Sequence, residues 1–170
     1  MNISLKNDLL SARRKLIENY FSHLNPMQRE AVLKTEGALL ILAGAGSGKT
    51  TVLINRIANI IKFGIASESD YIPDCYGEEE LRILQAGGPE AEALAALEPC
   101  APWQIIAITF TNKAADVLKS RLASMLGSEA DDIWARTFHS ACVRILRRFA
   151  DRLGYDLNLR FTTVPSALLL

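Results

Sequence analysis

The sequence predicts a three-layer α/β fold, in which a parallel β-sheet lies between two layers of helices. Three short apolar runs have the length and composition of buried strands. Each run precedes a stretch whose apolar residues recur at helical spacing. Strands that alternate with helices pair in parallel through right-handed crossovers, so this order favours a single parallel sheet. The three runs are 38–43, 105–109 and 133–137, and the helices after them begin near Lys49, Lys113 and His139.

Composition supports one folded domain. The chain has 170 residues, of which 49% are hydrophobic and 22% charged, so it has enough apolar material for a core and too little charge for a disordered chain. The longest apolar run, 38–43, is far shorter than the roughly 18 residues of a membrane span. No basic stretch followed by an apolar one opens the chain, so we expect no secretory signal and no membrane partner. The three cysteines form no CxxC pair, which favours a reducing cytoplasm over a disulfide or zinc framework.

Charge is unevenly distributed along the chain, although its net charge is zero. Residues 64–104 contain nine acidic side chains and one basic one, Arg82, and therefore carry −8, which leaves +8 on the remainder. We interpret 64–104 as an acidic surface insertion with short helices at 78–86 and 90–97. The basic remainder is compatible with a nucleic-acid partner and equally with an ordinary solvated surface.

The helices outside the insertion follow from apolar spacing and cap residues. We predict helices over 8–21, 27–34, 113–126 and 139–153. Asn25-Pro26 marks the start of the second, because Asn accepts free N–H groups and Pro has none in the first turn. In the last helix, Cys142, Leu146, Phe149 and Leu153 share an apolar face. Its outward face carries Arg144, Arg147, Arg148 and Arg152.

The segment AGAGSGKT, residues 43–50, joins the first predicted strand to its helix and has the pattern of a phosphate-binding P-loop. Glycines at 44, 46 and 48 allow successive N–H groups to converge on phosphate oxygens, and the helix after them adds its positive N-terminal end. Lys49 would neutralise the charge of the β- and γ-phosphates, and the Thr50 hydroxyl would ligate Mg²⁺. An ordinary glycine-rich turn is one alternative. A dinucleotide-binding turn is another, but its third glycine would fall one residue later.

Four segments in order extend this pattern: 24–28 (LNPMQ), 43–50, 108–115 (ITFTNKAA) and 137–140 (TFHS). Together they resemble the N-terminal part of superfamily 1 DNA helicases of the UvrD/Rep/PcrA group, over most of 22–155 apart from the insertion. The resemblance implies a RecA-like P-loop domain that uses ATP and Mg²⁺ and acts on single-stranded or partly duplex DNA.

The resemblance also implies roles for individual residues. The nucleotide would contact Gln28, Gly44, Ala45, Gly46, Ser47, Gly48, Lys49, Thr50 and Thr51, with Lys49 and Thr50 as the catalytic pair. DNA would contact Thr109, Phe110, Thr111, Asn112, Thr137, Phe138 and His139. Gln28 would read adenine, although an exposed helical glutamine is an alternative, and Phe110 would pack on a base unless it belongs to the core. Thr51 departs from the arginine that many members carry there.

The family continues with an accessory domain, a strand ending in an Asp-Glu pair and a second motor domain, and the sequence contains no apolar run ending in Asp-Glu after Thr50. The ending, 163–170, does not resemble that continuation. We therefore expect 1–170 to be a partial motor domain, incomplete at its C-terminus, that binds nucleotide weakly and needs the remaining helicase domains for hydrolysis, as in DNA repair or replication. A truncated nucleotide- or DNA-binding module without motor activity is the alternative, whereas a small kinase would need an acceptor site and a lid.

Overall fold

The computed structural model describes residues 2–44 and 46–154. Ala45 and the ending 163–170 lie outside the described residues, as does the rest of 155–170. The described part contains seven α-helices and two β-strands, together with three short 3-10 helices. The helices are α1 Ile3–Tyr20, α2 Pro26–Leu33, α3 Lys49–Lys62, α4 Glu78–Ala86, α5 Pro89–Ala95, α6 Asn112–Leu126 and α7 Phe138–Arg148. The strands are β1 Ile106–Thr109 and β2 Trp134–Thr137, and the 3-10 helices are Pro102–Gln104, Gly127–Asp132 and Asp151–Leu153.

The sheet confirms the α/β class and the parallel pairing of two predicted strands. β1 and β2 pair in parallel in a two-stranded sheet, with Ile106 opposite Trp134 and Thr109 opposite Thr137. The connection between them includes α6, as a parallel pair requires. Because the two strands are in register, their carboxyl ends and the residues that follow lie side by side.

The prediction of a buried strand at 38–43 is wrong for this structure. The segment carries no strand pairing, and Leu40 and Leu42 are 81% and 87% exposed. A buried strand needs partners on both edges, but β1 and β2 pair with each other and no described strand lies alongside 38–43. The segment 38–43 has the apolar composition of a buried strand, but no strand that would pair with it is found among the described residues.

Two apolar clusters form the core, and α3 contributes to both. The first includes Leu9 and Ile17 of α1 and Phe21 directly after it, together with Val52 of α3 and Phe63. The second packs Ile54, Ile57 and Ile61 of α3 against α6 and against the buried face of the sheet at Ala107 and Ala135. The helix that follows the P-loop is therefore anchored on both sides, which fixes the position of its N-terminus.

The acidic segment 64–104 packs closely against the N-terminal helix. Ala66, Ile72, Leu81, Leu84 and Ala95 are buried in the first cluster, and α1 contacts both α4 and α5. Each ion pair found among the described residues joins this segment to the rest of the chain. These pairs are Arg14–Asp70, Lys34–Glu68 and Lys62–Glu92.

Helix boundaries differ from the predictions by more than one residue in three helices, α1, α5 and α7. α1 begins five residues early because the Asn2 side chain caps it by accepting from the Ser4 N–H. α7 ends at Arg148, and its predicted continuation tightens into a 3-10 turn in which the Arg152 N–H donates to the Phe149 carbonyl. α5 begins at Pro89 and ends at Ala95. The apolar face predicted for α7 is only partly covered, since Leu146 and Phe149 are 38% and 40% exposed.

Candidate nucleotide and DNA site

The glycine-rich loop has the local conformation that a phosphate cradle requires. Gly46 and Gly48 have φ angles of 78° and 86°, in the left-handed region that favours glycine. Gly48 also caps α3, and a Cβ built on it would lie 2.6 Å from Gln28 Nε2. The loop therefore turns the chain directly into the N-terminus of α3. The first-turn N–H groups of that helix lack intrahelical acceptors and favour an anion.

The Lys49 ammonium lies inside the loop. It donates to the carbonyl oxygens of Ala43 (2.8 Å) and Gly44 (2.6 Å). The Ser47 hydroxyl donates to the same Gly44 carbonyl, at 2.7 Å. Lys49 and the following Thr50 are both exposed to solvent. The loop thus holds a positive charge at its centre and an exposed hydroxyl at the helix start.

Gln28 connects α2 to this loop. Its backbone N–H donates to the Asn25 side chain and its own side-chain oxygen accepts from the Asn25 N–H, which forms a capping box at the start of α2. Its Nε2 donates to the Ser47 carbonyl at 3.1 Å. The predicted start signal at Asn25-Pro26 is confirmed, and Gln28 is a loop contact rather than a free helical side chain. Thr51, half-buried in the first turn of α3, uses its carbonyl to accept from the Asn55 side chain.

Glu68 is one of nine acidic residues in the segment 64–104, and the structure gives it specific contacts. Its carboxylate accepts from the Thr35 and Glu36 N–H groups, each at 2.7 Å, and from the Lys34 ammonium. Partial burial of the Glu68 carboxyl raises its pKa, but these hydrogen bonds outweigh burial and lower the pKa to about 2. Glu68 thereby fixes the turn that leads into 38–43 and the loop. No pattern in the sequence distinguishes it from its acidic neighbours.

A groove of about 1110 Å³ lies between α2 and the 38–43 segment, beside the loop. Gln28, Ser47 and Lys49 contribute polar surface to it, whereas Leu39 and Ile41 contribute apolar surface. Lys34 and Glu68 line it as well. A ligand with an aromatic base and a charged tail matches this division into apolar and cationic parts.

The predicted DNA residues gather at the carboxyl ends of β1 and β2. Thr109 and Thr137 are paired across the sheet, so Phe110 and Phe138 follow on adjacent strands. Phe110 is 98% exposed and Phe138 is 55% exposed, which excludes core packing for Phe110. His139 is also exposed and packs edge-on against the Phe138 ring, with 6.1 Å between the ring centroids.

The threonines at these strand ends cap the two following helices. Thr111 Oγ1 accepts from the Ala114 N–H at the start of α6, and the Thr109 hydroxyl donates to the Thr111 carbonyl. Thr137 is 8% exposed, and its hydroxyl oxygen accepts from the Ser140 N–H at the start of α7. Asn112 is exposed in the first turn of α6. Two helix N-termini and two exposed aromatic rings therefore share this edge.

The residues present fit a nucleotide that carries its own metal ion. Among residues 2–44 and 46–154, no group of three or more His, Cys, Asp or Glu side chains is placed to hold a metal. Mg²⁺ is commonly held by few protein oxygens together with substrate phosphates, and Thr50, exposed at the start of α3, would supply one such oxygen. Within the described part of the chain, no helix is long and apolar enough to cross a membrane.

A family model matches most of this chain. The family model described as the UvrD/REP helicase N-terminal domain matches residues 24–72 and 91–166. The unmatched stretch 73–90 lies within the acidic segment and contains α4, and α1 also lies outside the match.

Bacterial helicases are similar to most of this chain. ATP-dependent DNA helicase PcrA of Bacillus subtilis (strain 168) is 46% identical over 145 residues, which are 82% of this chain and 15% of that protein. The PcrA proteins of Staphylococcus aureus (strain Mu50) and Staphylococcus epidermidis are 43% and 44% identical, over 81% and 80% of this chain. The matched part is 14% of the length of each staphylococcal protein. Because the family model matches more than half of its residues, the chain belongs to the UvrD/REP helicase N-terminal domain family.

Proposed function

We propose that this chain is the ATP-binding N-terminal part of an ATP-dependent DNA helicase, built as a three-layer RecA-like P-loop domain whose sheet is completed by further strands. The observation that carries the proposal is the loop of residues 44–50. It combines two left-handed glycines, a central ammonium and a helix N-terminus, and Gln28 reaches it from α2.

The ammonium of Lys49 is the group that changes partners when a nucleotide binds. It now donates to two loop carbonyls, and phosphate oxygens are stronger acceptors because they are charged. We expect the side chain to turn towards the β- and γ-phosphates, while the N–H groups at the start of α3 contact their oxygens. The Gln28 amide, already held beside the loop, would orient the base.

Thr50 would hold Mg²⁺, which would neutralise part of the phosphate charge when bound. Efficient hydrolysis also needs a carboxylate that orients water and an arginine that stabilises the transition state, and an arginine finger alone contributes roughly 10³–10⁵ in rate. We therefore expect weak nucleotide binding and negligible turnover until the remaining helicase domains are present.

DNA would bind at the carboxyl edge of β1 and β2. Phe110 and Phe138 offer exposed rings on which bases stack, and the N-termini of α6 and α7 offer N–H groups for phosphates. In the complete enzyme, ATP-driven changes between two motor domains would move this edge along single-stranded DNA and unwind duplex.

Cys75, Cys100 and Cys142 are free thiols in the described part of the chain, which supports a cytoplasmic location.

Isothermal titration of the purified chain with Mg·ATP tests the nucleotide part. We expect a weak, saturable heat that Lys49→Ala abolishes and that Lys15→Ala, which removes an exposed cation outside the groove, preserves. Phosphate release measured with and without oligothymidine should stay near background. Binding that is indifferent to Lys49→Ala would remove the basis of the proposal, and robust DNA-stimulated turnover would contradict the need for further domains.

A further inference from the structure

Both tryptophans of the chain line a single cavity of about 510 Å³ between α6 and α7, beside β2. Trp103 is 65% exposed, which is unusual for the largest apolar side chain. Trp134 is half-buried, and the Arg144 guanidinium lies 4.2 Å from its ring centroid. This cation–π contact holds Arg144 at the cavity wall. Neither the P-loop nor the strand-end residues line this cavity.

The charged side chains of the cavity carry a small positive excess. Lys119, Arg136 and Arg144 line it and are exposed, and none of them forms an ion pair with a described carboxylate. Asp131 and Asp132 line it too and are also exposed. Three such cations beside an exposed indole ring match an anionic ligand that also has a flat aromatic part.

We propose that this cavity is a second contact for single-stranded DNA, with a base stacked on Trp103 and the neighbouring phosphates on Lys119 and Arg136. The choice of DNA rests on the proposed function. The distance between the cavity and the strand-end site supports the choice of DNA. Trp134 and Thr137 are the two ends of β2 and lie roughly 10 Å apart at about 3.3 Å per residue. A strand held at Thr137 would reach the cavity within about three stacked nucleotides at about 3.4 Å each.

Tryptophan emission tests the proposal directly, because the chain has no tryptophan outside this cavity. Titration of the 170-residue chain with a short oligothymidine should quench the emission. The anisotropy of the same oligonucleotide, labelled with a dye, gives the affinity. Stacking contributions in single-stranded DNA complexes imply that Trp103→Ala weakens binding by about fivefold or more. Trp103→Phe should restore affinity to within about twofold of wild type, because a phenyl ring also stacks on bases. Tyr71→Ala, which removes an exposed ring outside the cavity, should leave affinity unchanged.

The charged residues of the cavity give a second test, because removing a cation and removing the anions should change the affinity for oligothymidine in opposite directions. Lys119→Ala should weaken binding and reduce the salt dependence by about one counterion. The double change Asp131→Asn and Asp132→Asn should tighten binding, because it removes repulsion of the phosphates. Circular dichroism checks that each variant is folded.

The outcomes separate this site from the proposed function. Oligothymidine that binds without quenching, with an affinity insensitive to Trp103→Ala, overturns the cavity site and leaves the strand-end site intact. Mg·ATP binding should be the same in wild type and Trp103→Ala. A folded chain that binds Mg·ATP but no oligothymidine also overturns this proposal, whereas loss of both activities would contradict the proposed function itself.

Discussion

Removal of the Glu68 charge should destabilise the fold in a pH-dependent way. Glu68 accepts hydrogen bonds from two backbone N–H groups and from Lys34, and its pKa is lowered from 4.5 to about 2. At about 1.36 kcal/mol per pKa unit this lowering corresponds to at most about 3.4 kcal/mol. The side chain is 27% exposed, so solvent screening reduces the effect, and we expect Glu68→Gln to cost about 1–2 kcal/mol at neutral pH.

The sign of the pH dependence follows from the direction of the pKa change. A carboxyl whose pKa is lower in the folded state stabilises the fold above the unfolded pKa, and this stabilisation is lost as pH falls towards the folded pKa. Urea unfolding of wild type and Glu68→Gln should therefore differ most above pH 4.5 and converge as pH approaches 2. Glu18→Gln, at an exposed position of α1, is the matched control and should differ little at any pH. A difference for Glu68→Gln that does not change between about pH 7 and pH 3 would refute the reasoning.

Three further changes test other parts of the structure. Gly48→Ala forces an alanine into φ 86° with its Cβ 2.6 Å from the Gln28 amide, so thermal unfolding should show that the free energy of unfolding falls by about 1–2 kcal/mol. Gly44→Ala is the control and should lower it less, because the added Cβ meets nothing within 4 Å. Phe110→Ala removes a ring that is 98% exposed, so the affinity for oligothymidine should fall about fivefold while the free energy of unfolding stays unchanged. A loss of affinity accompanied by a lower free energy of unfolding would contradict a role in binding alone. Arg13→Met removes a buried guanidinium that donates to the Ser69 and Tyr71 carbonyls, so urea unfolding should show a free energy of unfolding lower by about 2–4 kcal/mol. Arg14→Met, at an exposed position, is the control and should lower it by about 0.5 kcal/mol or less.

Local signals in the sequence predicted the elements that local interactions determine. Asn25-Pro26 marks the start of α2 because the cap and the missing N–H act within one turn. The glycines at 46 and 48 predicted a tight turn into a helix, and both have the positive φ that such a turn uses. The apolar spacing over 113–126 likewise predicted α6, whose Leu118 and Leu122 pack in the second core cluster.

Features that depend on distant parts of the chain were not predictable in this way. The 38–43 run has strand composition, but pairing is a property of two segments, and its partner is not present among the described residues. Arg13 precedes the exposed cations Arg14 and Lys15 in α1, yet it is 3% exposed because its guanidinium donates to carbonyls of the acidic segment. Glu68 gained its role from the same packing. A charge count describes such residues correctly and gives no information on their contacts.

Backbone amide spectra of the isotopically labelled chain, recorded during a titration with Mg·ATP, test whether residues 44–50 bind the phosphates. We expect the largest shifts at Gly46, Gly48 and Lys49 and at the side-chain amide of Gln28, with much smaller shifts for Mg·AMP, which lacks the β- and γ-phosphates. Shifts centred elsewhere, or equal for the two nucleotides, would contradict a loop that binds the terminal phosphates of ATP.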